Sequence, residues 1–214
     1  MPVPQIIRPD ASTTRNAPTY HGSVPTIKGA ATMHGCMTGS LPLHTDYVEC
    51  EPGSVGDVLV VGLGNPTNTP NNDFNHIIRV CASKNTADGA SVGFLCELRQ
   101  SYVSETDLGT LVAAFSCQNL PSTETFYRYR LTTDQAALIT DYTALSCRFT
   151  STNARDGAIR RARLHWCEVE LPEPGEVGKH IRLTNEEQRR DKRGLSVTQE
   201  SDRSTTGGTS PNSQ

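Results

Sequence analysis

Several features that would announce a chemistry are missing from this chain. It has no run of eighteen apolar residues, and MPVPQIIRPD carries neither the charged nor the apolar part of an export leader, so the expectation is a chain with no membrane helix and no export signal. The six histidines (His21, His34, His44, His76, His165, His180) include no i, i+4 pair and no H-E-x-x-H, which leaves no helical zinc site. A G-x-S-x-G elbow is also missing, so a serine hydrolase triad has no starting point. The seven cysteines are odd in number and show no C-x-x-C; most lie inside apolar segments, where a thiol behaves as a small hydrophobe. Reduced core thiols are the reading, with a bridge formed in an oxidising medium and a metal site as rarer alternatives. No cofactor is implied.

Charge is distributed unevenly. Lys and Arg against Asp and Glu number three to one in residues 1–44, ten to fifteen in 45–172 and seven to seven in 173–214. The middle segment is acidic by five and offers no broad basic face, so nucleic acid is not an expected partner. Arg160, Arg161 and Arg163 cluster, and read as a solvated strand end or an ion-pair site for a neighbouring subunit.

Residues 1–44 hold six prolines among Thr, Ser, Ala and Gly and show no periodicity, which predicts an extended arm. The isolated apolar residues Ile6, Ile7, Val24, Ile27, Met33 and Met37 are spaced as anchors for a neighbour's pockets. Residues 173–214 form a polar tail, with a short charged helix over 185–193 suggested by Thr184 and Glu187 as a capping box and Gly194 as a stop.

Between these lie segments with the period-2 pattern of half-buried strands: 47–50, 57–63, 75–81, 92–100, 110–117, 126–131, 144–149 and 163–171. Asp88-Gly89 is a hairpin signal. After Leu131, Thr132 and Gln135 predict a capping box for one short helix of about two turns. Leu164, Trp166, Val169 and Leu171 are the apolar members of the last strand, with a slip in phase, and so a bulge, near Cys167-Glu168. The fold class is therefore all-β: a β-sandwich over 45–172 with one short helix.

The closing half carries Ile139, Thr140, Asp141, Tyr142, Leu145, Arg161, Trp166, Glu168, Glu170 and Pro172 in an order that resembles the jelly-roll-like domain of tailed-phage and prophage virion structural proteins. A weaker echo precedes it in His76–Val80 and Phe94–Gln100, so that the resemblance spans about residues 46–172. The chain departs from that pattern in its opening strand, where Thr45-Asp46-Tyr47-Val48-Glu49 stands in place of a Trp and an acidic cluster. The resemblance implies a jelly-roll sandwich without catalytic residues, located in a virion. A capsid cement (decoration) role follows, with the major capsid protein and two further copies as partners, and neither nucleic acid nor membrane. The interface candidates are Ile6, Ile7, Val24, Ile27, Met33, Arg160, Arg161 and Arg163. The alternative is a receptor- or carbohydrate-binding part of a tail fibre or spike, which calls for exposed aromatics on one sheet.

Two motifs invite an enzymatic reading. Gly62-Leu63-Gly64-Asn65-Pro66 resembles the signature of bacterial peptidyl-tRNA hydrolase, and His76 follows Asn65 by eleven residues. That enzyme needs the motif at its N-terminus and alternating helices and strands, so a turn between strands is the preferred reading. Glu168 and Glu170 fall on one face of a strand about 7 Å apart, a separation open to glycoside hydrolysis or calcium, but more commonly met by solvent or by a neighbour's arginines.

Overall fold

The structure, a computed structural model, describes residues 4–10, 19–21, 26–28, 46–50, 57–85, 91–152 and 161–172, with 19–21 and 26–28 described by backbone alone. Among the described residues there are eleven strands: β1 (Gln5–Ile7), β2 (Thr19–His21), β3 (Thr26–Lys28), β4 (Tyr47–Glu49), β5 (Val58–Gly62), β6 (Ile77–Lys84), β7 (Gly93–Gln100), β8 (Thr110–Cys117), β9 (Thr125–Arg130), β10 (Leu145–Thr152) and β11 (Ala162–Leu171). They form two antiparallel sheets. Sheet A runs β3-β4-β11-β6-β9, with β1 also on β11, and sheet C runs β2-β5-β10-β7-β8. If β4 to β11 are counted one to eight, the sheets read 1-8-3-6 and 2-7-4-5. That interleaving is a jelly roll.

Period-2 alternation supplies the core between the sheets. Ile78, Val80 and Ala82 of β6 and Leu164, Cys167, Val169 and Leu171 of β11 meet Leu59 and Val61 of β5, Phe94, Cys96 and Leu98 of β7, and Cys147 and Phe149 of β10. All of these are buried. Each large aliphatic or aromatic member contributes roughly 1.5–3 kcal/mol by leaving water.

The predicted helix forms as α1 (Thr133–Ala136), one turn rather than the two expected, with the expected capping box: Gln135 N donates to Thr132 Oγ1 (3.2 Å) and Thr132 N to Gln135 Oε1 (3.0 Å). A 3-10 turn at Tyr142–Ala144 follows. Gln100 Oε1 accepts from the backbone of Thr140 (2.8 Å) and Asp141 (2.9 Å) and ties this connection to β7.

Three expectations change. The N-terminal segment is not wholly an arm, because β1 pairs with β11, β2 with β5 and β3 with β4, and residues 1–175 make one compact unit. Each of these strands begins directly after a proline (Pro4, Pro18, Pro25), at the strand start that proline tolerates. Three residues are too few to reveal alternation. The Asp88-Gly89 hairpin fails as well: the dipeptide lies outside the described residues, and the strands around it, β6 and β7, belong to different sheets. Finally, the bulge in β11 falls between Leu164 and Trp166, earlier than the phase slip suggests. The tail helix at 185–193 lies outside the described residues.

Candidate functional site

Of the anchors expected to reach a neighbour, only Ile6 and Ile7 have described side chains. Ile7 is only 3% exposed and belongs to the chain's own core, opposite Val169, while Ile6 is half-buried opposite Glu170 on the other face of the sheet. Ile27 lies in β3 opposite Val48, with its side chain outside the described residues, as are Val24, Met33 and Arg160 altogether. Arg161 and Arg163 are engaged internally: Arg161 Nη1 donates to Glu49 Oε1 (2.8 Å) and Arg163 Nε to Glu49 Oε2 (2.5 Å). The Arg163 guanidinium also lies 4.3 Å from the ring centre of Tyr47. Glu49 is buried, and a buried carboxylate needs such partners. The cluster is thus a clamp between β4 and β11.

Glu168 and Glu170 do meet arginines, but those of the same chain. Arg79 donates to Glu168 Oε1 (2.7 Å) and to Glu170 Oε2, and Arg8 pairs with Glu168 Oε2 at 3.0 Å. Both carboxylates are held by guanidinium groups, which suits neither a general acid nor a cation ligand. His76 is completely buried, hydrogen-bonded to Tyr142 Oη at 2.8 Å, and burial lowers its pKa to about 4. A histidine so enclosed cannot reach an ester substrate, and in the G-L-G-N-P stretch Gly62 ends β5, Leu63 bridges to Pro9 and residues 64–66 are irregular. Six cysteines (Cys50, Cys81, Cys96, Cys117, Cys147, Cys167) are free and buried, and burial pushes Cys50 and Cys81 up to about 11 and Cys117 to about 12.

The outer face of sheet A is the most ordered side-chain array. Since Val80, Tyr127 and Cys167 point into or against the core, their strand neighbours Arg79 and Cys81, Phe126 and Arg128, and Trp166 and Glu168 point outward. The pairing registers place Trp166, Cys81 and Phe126 in one row across β11, β6 and β9, then Glu168, Arg79 and Arg128, then Glu170, Ile77 and Arg130. Trp166 and Phe126 meet edge to face over the intervening cysteine, with ring centres 6.0 Å apart at 77°. Trp166 is 5% exposed and Phe126 59%. One ring is the foundation and the other is presented to solvent.

Sequence reasoning missed this array. The bulge ahead of Trp166 turns the indole away from the facing sheet, so it is buried as an alternating strand suggests, but on the opposite face. A signal did exist in FYRYRL: Phe126 is out of phase with Tyr127, Tyr129 and Leu131, and an aromatic on the arginine side of a strand marks an apolar spot on a polar face.

The outer face of sheet C is different. Glu97 accepts from Arg99 (2.8 Å) and Arg148 (2.7 Å), and Arg148 reaches on to both oxygens of Glu105 (3.1 and 2.6 Å), which also accepts from Tyr102 Oη (3.0 Å). This network fastens the loop 101–109 to the sheet. Burial alone would raise the Glu97 pKa, but the hydrogen bonds from Arg99 and Arg148 outweigh it and hold the carboxyl below its ordinary value. Gly109 closes the loop at φ +62°, where a Cβ would lie 2.2 Å from Gln100 O.

No family model and no curated protein matches the chain. Solved structures similar to it include the K3 cleaved adhesin domain of Lys-gingipain from Porphyromonas gingivalis W83 (TM-score 0.46, 8% identity, 78% of this chain and 99% of that one). The CBM22-1 xylan-binding domain of Paenibacillus barcinonensis Xyn10C is another (0.40, 10%, 77% and 92%). A truncated AlyQ with CBM32 and alginate lyase domains gives 0.38 and 15%, over 74% of this chain and 35% of that one, so the chain spans about a third of its length. These are likenesses of β-sandwich fold and carry no argument about ligand.

Proposed function

We propose that the chain is a non-catalytic recognition module, and that it binds carbohydrate through the outer face of sheet A. The observation that carries this reading is Phe126, a ring 59% exposed on an edge strand, braced from behind by Trp166 and adjoining the row Glu168, Arg79, Arg128. An exposed ring offers an apolar surface for the C–H face of a sugar, and the polar groups beside it can bind hydroxyls. Arg79 is already fixed between two carboxylates, so little side-chain entropy is lost when it engages a ligand. In this reading the chain is the receptor-binding part of a virus particle, a location supported by the resemblance of residues 126–172 to virion jelly rolls.

A second reading, docking of the same face on a capsid subunit, is favoured by the exposed series Phe126, Arg128 and Arg130, since aromatic and arginine residues dominate protein hot spots. One of the anchors expected to support it, Ile7, serves the chain's own core instead. The test is to screen the purified full chain and F126A against a glycan panel and against particles lacking this component. Glycan binding by the wild type that falls tenfold to about a hundredfold in F126A, the worth of one buried aromatic side chain, supports the first reading. Particle binding with no glycan bound supports the second.

A further inference from the structure

We infer that a second copy of this chain pairs with the outer edge of β8, joining two sheets C into one continuous sheet across a twofold axis. Among the described residues β8 pairs only with β7, which leaves its other side open along eight residues. Open edges are normally guarded by short length, charge, proline or a bulge. On the far side of the sandwich the outermost strands β2 and β3 are three residues long. On the near side β9 presents Arg128 and Arg130. β8, Thr110–Cys117, has no charge and no proline. Its one bulge sits at Val112, where the register to β7 shifts, so Ala113–Cys117 remains regular.

The side chains of this stretch suit a close neighbour. Ala114 and Ser116 are exposed and small, so a second backbone can approach to strand spacing without a clash. Among the described residues, three of the four exposed large apolar ones are Leu111 on β8, Val103 in the loop leading into it, and Leu138 just after α1, which packs on β8. Charge selects the occupant. Self-pairing of β8 opposes no like charges, whereas self-pairing of β9 would bring arginines of two copies face to face, which is destabilising. An antiparallel register centred on Phe115, the midpoint of the regular stretch, sets Ala114 of one copy opposite Ser116 of the other.

The test is sedimentation of the full chain over a range of concentrations, using wild type, A114K, S116E and an equimolar mixture of the last two. The exposed positions leave the fold intact, which equal thermal midpoints verify. The wild type should form a dimer with micromolar affinity, each single variant should dimerise about tenfold or more weakly because it sets two unpaired charges of one sign, diagonal to each other, into the new seam, and the mixture, which brings Lys opposite Glu, should recover a heterodimer. A wild type that stays monomeric, a trimer, or a dimer indifferent to A114K would each overturn the inference. Neither glycan binding nor its loss in F126A enters this measurement, so the two proposals fail separately.

Discussion

Replacing Ile7 by Ala tests whether the N-terminal segment belongs to the sandwich or merely precedes it. Ile7 is 3% exposed, sits opposite Val169 in the β1–β11 register, and joins the cluster between the sheets. Truncating a buried isoleucine costs about 2–5 kcal/mol through lost burial and the cavity left behind. The chain on either side of Ile7 is held by the Arg8 carbonyl accepting from Gly64 N (2.8 Å), by Asp10 N donating to Gly62 O (3.1 Å), and by a reciprocal pair between the Gln5 side-chain amide and the Asn68 backbone (2.8 Å each). Local relaxation around the cavity is therefore limited, and the middle of that range applies. For a domain of this size the midpoint of thermal unfolding should fall by about 2–4 °C per kcal/mol, or roughly 5–15 °C in all. The half-buried Ile6, one residue away on the outer face, is the control, and I6A should shift the midpoint by a small fraction of that. Calorimetry of both variants decides the matter. Equal, negligible shifts would refute the reasoning and return the segment to the status of a detached arm.

Other expectations follow from the buried polar groups. Stability should decline as pH drops from 6.5 towards about 4, because His76 is held neutral by burial in the fold but takes a proton once unfolded, and H76F should flatten this window in denaturant titrations followed at several pH values. A second loss should appear below about pH 4.5, where the unfolded chain protonates Glu97 more readily than the fold does; E97Q should remove that component while lowering stability at neutral pH, since it leaves Arg99 and Arg148 short of charge. The thiols of Cys50, Cys81 and Cys117 should resist alkylation at pH 8 until the chain unfolds, as buried sulfurs with raised pKa hold little thiolate; mass spectrometry of native and denatured samples reads the difference.

Much of the sandwich was legible because seven of its eight main strands, β5 to β11, have five residues or more and show alternation, and its helix carries an explicit capping box. Thr132 and Gln135 form the box that their spacing predicts. The strands of the N-terminal segment escaped because three residues cannot establish a period, and the prolines that begin them read more readily as an unstructured arm. Partner choice was hidden as well: nothing local tells that β6 pairs with β11 and β9 but not with β7, since sheet membership is a long-range property of packing. The proposed binding face was half visible. Trp166 stood out, yet one bulge residue decides which side of the sheet it takes, and the arginines beside it suggested a partner subunit when Glu49 of the same chain satisfies Arg161 and Arg163.

The central claim is that the face around Phe126 is where a ligand binds, and the chain contains its own reporter. Trp166 is the single tryptophan and lies 6.0 Å from the Phe126 ring, so its fluorescence responds to events at that face and to no other indole. Titrating the full chain with a glycan retained in the panel should give a saturable change in emission that tracks binding, and F126A should lose both together. Saturable binding that leaves Trp166 emission unchanged, and that survives in F126A, would contradict the account.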